Sequence, residues 1–406
     1  MALRLNKKPR SDATQQRDIG RVPPYKLLDV FRGLAALWVV MDHSSDRWLS
    51  PDHLAYLHQP LYWISSYGRL GVTIFFVISG YCITAAAWRS LVLNRSVAGY
   101  AKDRVRRIYP PYFASLVLMV LSIQWLAVAS AHHWIPAIHH PLHLGTGVSY
   151  WMGNLFLLQS EFQVTSINVV YWSLCYEIAF YAVIGVFLGV SKLIQRKHGP
   201  HVATVVFVAL LTGCTVCTLA FEIRTGDPVF PIDLWHLFAL GGLLFCGIEI
   251  NGRSLPDLSS RTRSIIASCL SIVALLTGAL AALRQIGDTG LGLPSTRVAC
   301  VTALVFAALL LVLRRYDDVL TRYGTVRPLL WLGSFSYSLY LVHPVVLPYF
   351  EVFGRHIGLN GDRYWIDYLI QLAAAVLSGR IFFLNVERRF LSKRQTQRIV
   401  EEHLHA

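Results

Sequence analysis

Three ionisable side chains stand inside long apolar runs of this sequence, where such groups are costly and mark function by default: His43, Glu177 and His343. They occur in "LLDVFRGLAALWVVMDHSS", "VVYWSLCYEIAFY" and "LLWLGSFSYSLYLVHP". An imidazole can take up or pass on a proton near neutral pH, and a carboxylate can orient it or balance its charge. Arg32 precedes His43 by almost three helical turns of about 3.6 residues, so both project from one helix face about 16 Å apart. Asp29 lies near that face; a structural ion pair with Arg32 and a catalytic role both remain open for it.

A second cluster is "YAKDRVRRIYPPY". Lys102 reads as ordinary loop charge. Arg104 and Arg107 share a face if the segment is helical, beside Tyr109, Pro110, Pro111 and Tyr112. Paired guanidiniums with aromatic neighbours suit a ligand carrying several phosphates and a purine, through bidentate contacts and stacking. Coenzyme A is such a ligand, with Arg104, Arg107 and Tyr112 as its candidate contacts. Ser173 and Tyr181 share the face of Glu177 at four-residue spacing, and Ser336 and Tyr340 share the face of His343. His343, Tyr340, Ser173, Trp172 and Tyr81 are therefore candidates to line a substrate cavity. Gly71, Ser79 and Gly80 in "GVTIFFVISGYCIT" read as small residues for close helix packing.

The elements that must position these residues are membrane helices. The chain has 406 residues, 54% of them apolar and only 15% charged, with a mean hydropathy of +0.47. Apolar runs long enough to cross about 30 Å of hydrocarbon recur from Leu27 to Asn385. The expected fold is all-α, a polytopic membrane bundle of about ten transmembrane helices. They fall near 27–49, 70–89, 109–130, 169–190, 202–221, 233–250, 264–283, 297–313, 329–350 and 366–386. The net charge of +14 does not indicate nucleic acid, because the basic residues sit in loops rather than on one face of a folded domain. They concentrate in the N-terminal tail, the even-numbered loops and the C-terminal tail, which assigns both termini to the cytoplasm. Residues 1–26 and 391–406 read as cytoplasmic tails around a transmembrane domain at 27–390, with no cleavable signal peptide.

All seven cysteines lie in apolar segments and are read as unpaired, Cys214 and Cys217 included, and no metal site is assigned. Two long outer breaks interrupt the bundle, 50–69 and 131–168. The second holds His132, His133, His139, His140 and His143, reads as a solvated polar loop, and contains a candidate short interfacial or re-entrant helix at Tyr150–Leu158. At about 1.5 Å per residue, His43, Glu177 and His343 all sit roughly 20 to 24 Å from the inner surface. A common depth predicts one shared cavity, opening inward beside Arg32 and Arg104 and outward beneath the 131–168 loop.

These motifs resemble the acyltransferase-3 family of integral membrane O-acyltransferases, which includes enzymes acetylating bacterial O-antigens, nodulation factors and macrolides. The resemblance rests on five motifs in order: the Arg-x10-His spacing of Arg32 and His43, "GVTIFFVISGY", Arg104 to Arg107 followed by "IYPPY", "VYWSLCYEIAFY", and "SYSLYLVHP". It implies that His43 is the central catalytic residue, Arg32 its partner, Arg104 and Arg107 determinants of acyl-CoA use, and Glu177 the acidic residue of the tryptophan-containing motif. It also implies an acyl-CoA co-substrate, acetyl-CoA by the family's commonest activity, a glycan or other hydroxyl acceptor, and a place in the bacterial inner membrane among its lipids.

Acyl transfer from a thioester to an alcohol needs a base for the hydroxyl proton, which a neutral His43 can supply directly or after first accepting the acyl group itself. Glu177 is expected to orient or charge-balance an imidazole. The rival readings are a membrane transporter or exporter of a glycan, since buried His, Glu and Arg also line such pathways, and a non-catalytic subunit of a glycan machine.

Overall fold

A computed structural model describes residues 24–45, 60–135, 144–226, 229–254, 260–283, 296–359 and 364–391. Among these residues there is no strand. The main helices are α1 (Leu27–Ser45), α2 (Pro60–Ser66), α3 (Leu70–Val92), α4 (Val97–Ala131), α5 (Val148–Phe156), α6 (Gln159–Phe162), α7 (Tyr171–Thr225), α8 (Trp235–Phe245), α9 (Ser260–Leu283), α10 (Thr296–Leu313), α11 (Arg327–Ser334), α12 (Ser336–His356) and α13 (Tyr364–Asn385). The expected tails lie almost wholly outside the described residues, as do His139, His140 and His143.

Six described helices are long and apolar enough to cross a membrane, seven if the bent pair around α11 and α12 is one span. The expected ten counted three further segments. α1 carries Asp29, Arg32 and Asp42 within 19 residues, too many charges for an ordinary span. α8 is only 11 residues long before it passes into a π-helical turn. The 55 residues of α7 are two helical arms meeting in a kink at Gly199, whose φ of 83° is accessible to glycine at little cost, followed by Pro200, and the count of six takes both arms as one span.

Two other boundaries differ from expectation. α4 begins at Val97 rather than near residue 109, because Ser96 caps it by accepting the Gly99 N–H at 3.0 Å, and Pro110 and Pro111 lie inside the helix. Arg104 and Arg107 are therefore on a helix. The segment expected as one helix over 329–350 breaks at Phe335 with a 67° bend. The bend lets α11 cross α1 while α12 runs beside α13.

Glycines set the close crossings. A Cβ on Gly333 would overlap the Asp29 carbonyl oxygen, and one on Gly33 would press on the Gly333 backbone, so α1 and α11 touch main chain to main chain. α3 and α8 do the same through Gly80, which faces the Phe238 carbonyl, and Gly241, which faces that of Val77. Neither helix can yield without moving its packed neighbours. Gly80→Ala and Gly241→Ala are each expected to destabilise the fold by about 1–3 kcal/mol or more, read as a lower melting temperature of detergent-purified protein. The outward-facing Gly213, where a Cβ meets nothing within 4 Å, is the matched control.

Candidate active site

The C-terminal end of α1 brings His43 to His343 on α12, with Nδ1 of the first 2.8 Å from Nε2 of the second. His343 is fully buried and its Nδ1 lies 3.1 Å from the Leu339 carbonyl oxygen. The neighbouring Asp42, also fully buried, accepts from Arg69 Nε at 3.2 Å, and this pins the end of α1 to the start of α3.

Next to this pair lies a cleft of about 790 Å³, its opening to solvent included. Its lining includes Arg32, Arg104, Arg107, Glu177, Tyr181, Tyr337, Ser173 and Tyr340 together with the apolar Val72, Phe75, Phe76 and Ile78. Three guanidiniums face one lining carboxylate, with Asp29 beside Arg32 and Glu387 within electrostatic reach of Arg107 and Arg32. Glu177 Oε1 accepts from the Tyr181 hydroxyl at 2.7 Å and the Ser79 hydroxyl at 3.4 Å. Arg104 lies over the Tyr181 ring, 5.9 Å from its centroid, and Arg107 is within electrostatic reach of Glu177 and Glu387. Asp29 approaches Arg32 at 3.7 Å, the geometry of an ion pair. The cleft thus combines guanidinium donors with an apolar throat formed by Val72, Phe75, Phe76 and Ile78.

The link between cleft and imidazoles is Tyr340. It lines the cleft, its ring centroid stands 6.1 Å from that of His343, and its hydroxyl meets that of Ser173 at 2.8 Å. His43 and His343 themselves do not line the cleft, and no described residue of the 131–168 loop does. Of the three ionisable groups expected to line a single cavity, Glu177 alone lines this cleft, and the imidazole pair adjoins it through Tyr340. Glu177 lines the cleft with the arginines, and its carboxylate accepts from Tyr181 and Ser79. Helical rise fixes depth but leaves rotation undetermined, which is why equal depth did not produce contact.

Three expected contacts take other roles. Tyr112 is fully buried, donates its hydroxyl to the Asn154 carbonyl oxygen and packs on Tyr171 at 4.7 Å, so it holds the outer loop instead of facing the cleft. Tyr81 donates to Glu249 Oε1 at 3.1 Å, and the same oxygen accepts from Arg314 Nε at 2.6 Å. With Asp317 accepting the Leu27 N–H at 2.8 Å, this polar staple ties the start of α1 to the end of α10. Trp172 is half-buried and packs edge-on against Phe76 and Tyr176, behind the lining. Ser336, on the stripe of Tyr340, is buried outside the lining.

Sequence reasoning missed Tyr337 and Glu387 and read Ser79 as a packing residue only. Tyr337 donates to the Ile108 carbonyl at 3.1 Å while lining the cleft. Glu387 Oε2 accepts from the Ser338 N–H and hydroxyl, within electrostatic reach of Arg107 and Arg32. The signal for Tyr337 was its place three residues before Tyr340 on the same helix.

Residues 144–168 carry the short helices α5 and α6, held by the fully buried Asn154. Its Nδ2 donates to the Tyr150 and Thr165 carbonyls at 3.0 Å each, and its Oδ1 accepts the Ile167 N–H at 2.8 Å. Among the described residues no group of three or more His, Cys, Asp or Glu could hold a metal ion.

Residues 25–383 match a family model described as an acyltransferase domain. An O-acetyl transferase of Shigella phage Sf6 is 29% identical over 228 residues, covering 53% of this chain and 59% of that protein. The exopolysaccharide production protein ExoZ of Rhizobium meliloti is 26% identical over 353 residues, covering 82% of this chain and 92% of that one. The acyltransferase MdmB of Streptomyces mycarofaciens is 25% identical over 398 residues, 92% of this chain and 94% of that one. No solved structure matches the chain.

Proposed function

Because the chain belongs to the acyltransferase-3 family of integral membrane O-acyltransferases, we propose that it moves an acyl group, acetyl first, from cytoplasmic acyl-CoA to a hydroxyl of a cell-envelope or exported glycan. The observation that carries this reading is the pairing of an arginine-rich cleft with a histidine pair one tyrosine away. Arg32, Arg104 and Arg107 supply bidentate donors for the phosphates of coenzyme A, and the apolar throat takes the extended arm that ends in the thioester. Arg32 and His43 stand about 16 Å apart along α1, so a donor held by its phosphates delivers its thioester toward the imidazoles. A glycan acceptor is supported by the relative named for exopolysaccharide production.

At His43 the acceptor hydroxyl gives its proton to the imidazole as its oxygen attacks the thioester carbonyl. The tetrahedral intermediate then expels the thiolate, which takes the proton back from the imidazolium. In the alternative route the imidazole attacks first, and the acyl-histidine passes its group to the hydroxyl in a second step. Both routes balance with the same products, an ester and free coenzyme A. We place the protein in the bacterial inner membrane with about ten spans and both termini in the cytoplasm, counting α1, α8 and the two arms of α7 as separate crossings.

Purified protein in lipid nanodiscs, given radiolabelled acetyl-CoA and a panel of envelope glycans, tests the function. Label in the glycan is the expected result, and label in no acceptor across the panel would count against it. A quench before acceptor is added separates the two routes, since only the second leaves label on the protein.

A further inference from the structure

We infer that His343 is a positioning residue that fixes the tautomer of His43, so that His43 presents its Nε2 lone pair to the acceptor; this rests on the acyl-transfer reading above. The Leu339 carbonyl oxygen can only accept, and it lies 3.1 Å from Nδ1 of His343. Nδ1 of that buried ring therefore carries the proton, and in the neutral imidazole Nε2 holds the lone pair. Nε2 of His343 is 2.8 Å from Nδ1 of His43, so Nδ1 of His43 must donate. The lone pair of neutral His43 is then on Nε2.

The ring geometry supports a directed bond. The two centroids stand 5.1 Å apart, about the N···N distance plus two ring radii, and the planes differ by 17°. The rings are in line and nearly coplanar rather than face to face. Leu339 lies one helical turn before His343 on α12, so the helix itself supplies the first acceptor. A chain of carbonyl, imidazole and imidazole does here what a carboxylate does for the histidine of a hydrolase triad: it holds one tautomer and steadies the imidazolium that forms. Glu177, which binds Tyr181 and Ser79, leaves that role to His343.

Two substitutions separate positioning from packing. His343→Gln keeps a side-chain oxygen that can accept from His43, whereas His343→Leu fills similar space with no acceptor. In nanodiscs, His343→Gln is expected to keep kcat within about tenfold of wild type, and His343→Leu to lose on the order of 10²–10⁴-fold with KM for acetyl-CoA little changed. Wild-type kcat in a folded His343→Leu variant would overturn the inference, as would equal losses in two folded variants.

Nitrogen-15 NMR of histidine-labelled wild-type protein reads the tautomer independently of activity and of either variant's folding, with His43→Gln identifying the signal. Protonated Nδ1 on His43 is expected. Protonated Nε2 in the neutral form would refute the assignment. Because the NMR needs no turnover, a wild-type protein that transfers nothing yet shows protonated Nδ1 would remove the acyl-transfer reading and leave the tautomer intact.

Discussion

His43→Gln is expected to abolish acyl transfer in a protein that is folded and inserted, with the rate falling at least on the order of 10²–10⁴-fold. Glutamine is the informative replacement because its amide N–H can still donate to Nε2 of His343, which keeps the buried ring satisfied while removing the base. His43→Ala removes the base as well, but it leaves that nitrogen without its His43 donor, at a cost of about 1–3 kcal/mol of stability. The alanine variant should therefore melt lower than the glutamine variant while both are equally inactive. Melting curves and labelled-acetyl transfer on the same nanodisc preparations check this. Transfer at wild-type rate in His43→Gln would remove His43 from the chemistry altogether.

What the sequence made legible follows from which physical quantity each motif encodes. Arg32 and His43 lie on one helix, so the 3.6-residue repeat relates their faces, and the structure keeps them on α1 in the expected order. The gap expected between the helices at 169–190 and 202–221 contains the interruption of α7, at Gly199 with its positive φ, followed by Pro200. The break at Phe335 carried no such signal. It follows from α11 lying main chain to main chain on α1, a tertiary demand absent from the local sequence.

Contacts between helices were legible only as depth. His43 and His343 share a level and meet, whereas Glu177 was assigned the same level and faces the cleft, because its rotation about α7 is set by packing. Tyr81 was misread for a similar reason. Its partners Glu249 and Arg314 are remote in sequence, and nothing in "VISGYCIT" points to either.

The arginines allow a test in which binding and stability can be told apart. Arg104→Ala is expected to raise the dissociation constant for acetyl-CoA about 10- to 100-fold, the effect of losing a charge-assisted contact of about 1.5–3 kcal/mol, with little change in melting temperature. Its guanidinium lies over the Tyr181 ring, and lysine should restore only part of the affinity because a point charge cannot reproduce the planar fork. Arg107→Ala is a different case. Arg107 is within electrostatic reach of both Glu177 and Glu387, so removing it leaves two carboxylates without that counter-charge in a poorly solvated site. A loss of up to about 3–5 kcal/mol of stability is expected alongside the loss of affinity.

Glu387→Gln added to Arg107→Ala removes one of those charges, while Glu387 keeps its place beside Ser338 through a side chain of the same shape. The double variant should recover most of the melting temperature and none of the coenzyme-A affinity. Isothermal titration with acetyl-CoA and with coenzyme A, beside melting curves, reads both quantities. Recovery of affinity together with stability would mean that Arg107 serves the fold alone, and unchanged affinity in both Arg104→Ala and Arg107→Ala would remove the cleft as the donor site.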